Sequence, residues 1–210
     1  MKKVNLDILL ITCVLCLVPI LFGLYFYPEL PEMVPVHFNI SNNPDGFMSR
    51  EIFVFSLPII MMVMQVLVCI ILDLRSKNTH SNKSLLLYKL MLPAISIVLY
   101  VISILYAINF GIDMFKVALT ILGVLFIAIG IDLPNNTGTY INFPKINDEQ
   151  VYKKAKEVFG VIYIIDGLLS LMAAMFNSQC LIAIMLLVLI EAIGLLLFAT
   201  WYNIKLKRKK

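Results

Sequence analysis

Two carboxylates sit deep inside long apolar runs of this 210-residue chain, Asp166 and Glu191. An acid at the centre of a hydrocarbon layer costs about 2.5–3.5 kcal/mol, so it faces a protein interior, finds a partner, or holds a proton. Asp166 lies 12 residues before Ser178, and Glu191 lies 13 after it. A turn at Ser178 joining two antiparallel helices would bring both acids to one depth, roughly 18–20 Å from the turn at 1.5 Å per residue. Neighbouring carboxyls can share one proton. Gln65, midway along another apolar run, is a third candidate for this polar group. Two chemistries fit: a proton or cation site, and a neutral hydrogen-bonded packing contact.

A second set of candidates lies in the polar stretch "LPEMVPVHFNISNNPDGFMSR", Leu30–Arg50. Pro31 and Pro35 fix their own φ and push Leu30 and Val34 towards extended backbone. Val34, Val36 and Phe38 then alternate with Pro35, His37 and Asn39, the pattern of a short strand with one apolar face. Asn43-Pro44-Asp45-Gly46 reads as a type I turn, with Asp45 supporting the backbone and Gly46 letting the turn close. Ser49 suits a cap for the following helix, and Glu51 suits its first turn. The stretch is a compact lid, or a recognition surface on which His37 and Asn39 meet a ligand.

Other reactive residue types give weaker signals. Cys13-Val-Leu-Cys16 lies inside an apolar run with no second pair, so its thiols read as small buried hydrophobes. Cys180 has no evident mate, and no disulfide framework is implied. His37 and His80 fall on opposite sides of the expected membrane, so they do not form a metal site. There is no phosphate loop, nucleophile elbow or His-Glu-x-x-His. No cofactor, no metal and no enzymatic reaction are expected.

The elements that must position these residues are membrane helices. The chain is 61% hydrophobic and 14% charged, with mean hydropathy +0.94; soluble domains carry about 25% charged residues. Six spans are expected at Leu6–Tyr27, Ile52–Leu72, Leu90–Phe110, Phe115–Ile131, Gly160–Phe176 and Cys180–Ile204. The first is too long for a signal-peptide core and is read as uncleaved. Apart from Lys116, at the outer end of the fourth, no Lys or Arg falls inside these spans. With the N-terminus in the cytoplasm, 15 of the 17 Lys and Arg face the cytoplasm. Only Arg50 and Lys116 face out, which places both termini inside and Leu30–Arg50 outside. The net charge of +4 therefore reflects topology, and no direct nucleic-acid binding is expected. Pro19 and Pro58 are positioned to kink the first two spans.

Before the fifth span, Asn147 and Gln150 form a plausible capping pair for a helix from Asp148. Val151, Tyr152, Ala155, Val158 and Phe159 mark its apolar face, with Lys153, Lys154 and Lys156 opposite. This is an amphipathic helix at the cytoplasmic interface that turns into the fifth span at Gly160. Its lysines grip anionic lipids or dock a regulatory protein. The fold class is thus an all-α membrane protein with six transmembrane helices and no internal repeat. It divides into a two-span hairpin with its extracytoplasmic loop, 1–73, and a four-span region, 74–210.

The outer stretch resembles the signature of SdpI-type bacterial membrane proteins, LP-x-x-VPxHxN-x-x-G-x-x-DG-x-x-S-K. Leu30, Pro31, Val34, Pro35, His37, Asn39, Asp45, Gly46 and Ser49 match it, with Arg50 for the usual Lys. A second family segment, GIRTPWTL-x-x-E-x-VW-x-K, is approximated by Ile141, Pro144, Ile146, Glu149, Val151, Tyr152 and Lys154. Asn142 replaces its Arg, and Tyr152 its second Trp. The resemblance implies immunity: a multi-pass protein of the Gram-positive cell membrane that protects against a secreted, membrane-active peptide toxin. It further implies a cytoplasmic repressor protein as a second partner. The alternative class is a proton- or cation-coupled transporter built on Asp166 and Glu191. An intramembrane enzyme ranks below both.

Overall fold

A computed structural model describes residues 4–39, 41–75, 83–135, 144, 146–176 and 181–207. Among these the order is α1 (Leu6–Leu17), α2 (Pro19–Tyr25), β1 (Met33–Phe38), β2 (Pro44–Ser49), α3 (Arg50–Arg75), α4 (Lys83–Ala107), α5 (Met114–Asp132), α6 (Glu149–Phe176) and α7 (Leu181–Lys207). Among the described residues, six stretches are long and apolar enough to cross a membrane: Leu6–Tyr25, Arg50–Arg75, Lys83–Ala107, Met114–Asp132, Glu149–Phe176 and Leu186–Lys205. The expected turn at Ser178 lies outside the described residues, as do His80, Cys180, Ile141 and Asn142. Contacts group the chain into two compact units, Met1–Met114 and Phe115–Lys210. The third span, α4, thus groups with the N-terminal hairpin.

In the first unit, Asn5 caps α1 by accepting from the Ile8 amide at 3.2 Å, and Asp7 sits in the first turn, where the helix dipole favours an anion. Pro19 opens α2 directly after Val18, which keeps right-handed helical angles (φ −50°, ψ −39°), so α1 and α2 run on as one stretch, Leu6–Tyr25. Likewise, α3 runs through Pro58 and α4 through Pro93. Each proline lacks the N–H that would bond four residues back, leaving the carbonyls of Val54 and Lys89 without a helical donor. Neighbouring side chains supply one. The Tyr100 hydroxyl donates to Val54 O at 3.0 Å, and Gln65 Nε2 donates to Lys89 O at 2.8 Å. Each of the two helices lends a side chain to repair the other.

Around the first repair lies a core of Leu30, Val34, Phe53, Val54, Tyr100 and Ile104. Phe53 and Tyr100 stack with centroids 5.2 Å apart. Gly23 is glycine because a Cβ there would stand 2.0 Å from the Tyr100 hydroxyl.

In the second unit, α5 and α6 meet backbone to backbone. A Cβ on Gly130 would stand 2.6 Å from Gly160 O, and one on Gly167 would stand 2.6 Å from Gly123 O. Glycines seven apart on each helix thus permit a close antiparallel approach, which is how helices associate where no hydrophobic force separates lipid from protein. The sequence expectation of a turn at Gly160 is corrected here: α6 is one continuous helix of 28 residues. Gly160 serves packing, so the backbone need not bend there. The cap is also reassigned. Asp148 accepts from the Val151 amide at 3.0 Å, in place of the expected Asn147. The Asn147 amide instead donates to Asn203 Oδ1 on α7 at 2.9 Å.

Candidate functional site

Residues 33–49 form an antiparallel hairpin standing on the first unit. Its register pairs Met33 with Ser49, Val34 with Met48, Pro35 with Phe47, His37 with Gly46 and Phe38 with Pro44. The turn is not where the sequence placed it. Pro44 opens β2, and the chain reverses at Asn39–Asn43. The Asn39 amide bonds Asn43 O at 2.9 Å, and the Asn42 amide bonds Asn39 O at 2.9 Å. The Asn39 side chain drives this reversal. Its Oδ1 accepts from the Ser41 amide at 2.9 Å and from the Asn43 amide at 3.1 Å. Asparagine mimics a turn with its own side chain, so Asn39 shapes the hairpin from within. Asn42 takes a positive φ of 59°, tolerable for Asn. Its Nδ2 donates to Asp113 Oδ1 at 3.0 Å, tying the tip to the segment after α4.

The expected alternation also breaks. The ladder shifts between Pro35 and His37 and again between His37 and Phe38, so Val36 is 43% exposed while Val34 is fully buried. Irregularities of this kind re-aim side chains. Met33 and Phe47, each about half exposed, join Val36 on the solvent side. Phe38 turns in, edge-on to Tyr106 at 4.8 Å. His37 Nδ1 meets Asp45 Oδ1 at 2.5 Å, with the imidazole 72% exposed. Gly46 stands opposite, where a Cβ would come 2.8 Å from His37 Cβ. The Asp-Gly pair is therefore explained by His37 across the ladder.

Arg50 locks the hairpin to α3. Its guanidinium lies 5.0 Å over the Tyr27 ring and donates to Leu30 O at 3.3 Å. Its amide bonds Glu32 O at 3.0 Å. Tyr27 in turn donates to Glu51 at 3.3 Å.

The three intramembrane candidates separate. Asp166 on α6 and Glu191 on α7 come within side-chain hydrogen-bonding reach of each other, near Tyr163. Asp166 is buried. One oxygen of each carboxyl, Asp166 Oδ2 and Glu191 Oε2, has no partner among the described residues. Gln65 bonds within the first unit, to Lys89 O and to Cys69 Sγ at 3.2 Å. It therefore serves the α3–α4 contact.

Sequence reasoning missed a buried ion pair. Lys89 Nζ lies 2.7 Å from Asp73 Oδ1, with the side chains 0% and 1% exposed. Asp73 Oδ2 accepts from the Asn5 amide at 3.0 Å, so the same carboxylate joins α4 to the start of α1. The expectation that no Lys or Arg lies inside a span is thus corrected. The apolar run begins at Leu90, but α4 begins at Lys83, and Lys89 is on its buried face. The signal was present in the pairing of a lone acid and a lone base, each just beyond an apolar run.

Among the lysines near the start of α6, Lys153 and Lys154 are exposed and Lys156 is buried. Lys156 falls four residues after Tyr152, hence on the same helical face. Its ammonium lies 5.6 Å over that ring, and the Asp132 carboxylate is a nearby opposite charge. It belongs with the packed face, while Val158, assigned to that face from the sequence, is half exposed.

A family model described as a domain of unknown function, DUF1648, matches residues 14–62. That is less than a quarter of the chain, and it takes in the end of α1, α2, the hairpin and the first half of α3. No curated protein and no solved structure matches the chain.

Proposed function

We propose that this is a multi-pass protein of the bacterial cell membrane that protects its cell against a secreted, membrane-active peptide received at the hairpin. The observation that carries this reading is a pinned hairpin that turns apolar residues outward. Asn39, Asn42 and Arg50 fix its shape, while Met33, Val36 and Phe47 face solvent. A lid would bury those side chains. Glu29, Glu32, Asp45 and Glu51 are exposed around them, so the surface complements a cationic, amphipathic peptide. The likeness of Leu30–Arg50 to the SdpI-type signature supports the same assignment, and the charge distribution supports an outward orientation of this face.

On the cytoplasmic side, Lys153 and Lys154 extend from the first turns of α6. They hold anionic lipid headgroups, and they are the surface on which a repressor protein would be retained. Deleting the gene should sensitise cells to the peptide fraction of their own spent medium, and restoring the chain should reverse this. Unchanged survival of the deletion strain at every dose would refute the reading.

A further inference from the structure

We propose that Asp166 and Glu191 hold a proton between them at neutral pH, making the α6–α7 contact a proton-binding site within the span. This is independent of the peptide reading, which concerns the hairpin.

The argument is one of hydrogen-bond chemistry. The two carboxyls are within hydrogen-bonding reach. An ionised carboxylate only accepts, so a bond between two of them needs a proton on one. Two bare carboxylates at that separation in an apolar surrounding would also repel strongly. On their own helices no Lys, Arg or His lies within nine residues of either acid. Among the described residues, the phenol of Tyr163 is a titratable group facing the pair, and its ring stacks on Phe126 of α5 at 6.0 Å. Ser170 is occupied elsewhere, donating to Asp166 O at 2.8 Å. The charged residues of these helices lie towards their ends: Lys116 and Asp132 on α5, Glu149 to Glu157 on α6, and Lys205 and Lys207 on α7. Glu157 precedes Asp166 by nine residues, about 13 Å along the helix.

A proton fits better than a metal cation. Divalent cations gather six or more oxygens. Among the described residues, no group of three or more His, Cys, Asp or Glu could hold a metal ion. The proton is taken from water and sits on either acid; no bond other than O–H forms or breaks. The partnerless oxygens Asp166 Oδ2 and Glu191 Oε2 offer it an alternative position on each acid.

Infrared spectroscopy tests this without an activity assay. The full chain in lipid nanodiscs should show the carbonyl stretch of a protonated acid at neutral pH. That band should vanish in the Asp166→Asn, Glu191→Gln double variant and be indifferent to sodium at constant pH. An equal band in parent and double variant overturns the proposal, and so does a band that sodium discharges, which would mark a cation site. Should the double variant fail to accumulate, Glu191→Gln alone decides. Breaking the acid–acid bond must abolish or displace the band, and an unchanged band refutes the site.

Discussion

Gln65 Nε2 donates to the Lys89 carbonyl at 2.8 Å, and that carbonyl is available because Pro93 stands four residues further along α4. The same relation holds in reverse on α3, where Pro58 frees Val54 O and Tyr100 bonds it. A proline in a span is tolerated when a neighbour satisfies the freed group. Here the two neighbours are each other, so α3 and α4 are cross-bonded at two levels.

Removing a donor should therefore strand a buried carbonyl. Gln65→Leu and Tyr100→Phe should each lower stability by about 1–3 kcal/mol, read by thermal denaturation in detergent. The diagnostic is coupling. In a Pro93→Ala background the helix regains its own donor, so Gln65→Leu should there do less damage. Equal damage in both backgrounds would show that the proline is irrelevant to the bond.

The Asp73–Lys89 pair makes a sharper demand. Lys89→Met leaves a carboxylate buried without its base and should cost about 3–5 kcal/mol. Asp73→Asn added to Lys89→Met removes that charge and keeps an acceptor for the Asn5 amide. The double variant should then be more stable than Lys89→Met alone. If it is less stable, the ion pair is not the relevant interaction.

How far these features could be read beforehand differs by scale. The spans were legible because long uncharged runs have few alternatives, and the nearness of Asp166 and Glu191 followed from helical rise on either side of an assumed turn at Ser178. What escaped depends on contacts between elements. Lys89 looked like a loop residue because hydropathy marks where greasiness ends, and a helix can continue past that point. Asn39 looked like a ligand contact because its turn-forming bonds go to Ser41 and Asn43, and Pro44-Asp45-Gly46 carried the stronger turn signal. The irregular ladder at Val36 has no local sequence mark, so strict alternation misplaced that side chain. The shared faces of Gly123, Gly130, Gly160 and Gly167 become visible only when two helices are laid together.

Gly46 offers a test of the hairpin itself. Gly46→Ala places a methyl 2.8 Å from His37 Cβ, so the ladder must open locally. Limited proteolysis between residues 33 and 49 should accelerate. His37→Ala keeps the offending Cβ and should not rescue it, whereas His37→Gly should. Rescue by His37→Ala would assign the conflict to the imidazole instead.

The most direct test of the recognition surface changes only side chains that face solvent. His37→Ala with Phe47→Ser should leave the chain folded and abundant, because neither residue holds the turn or the Arg50 clamp. Cells of a deletion strain carrying the parent or this variant would be exposed to the peptide fraction of the native strain's medium, with survival measured beside membrane abundance. The account predicts that the variant, at equal abundance, loses at least tenfold in the dose tolerated. Protection equal to that of the parent at equal abundance would contradict it and leave the hairpin as a cover over the first unit.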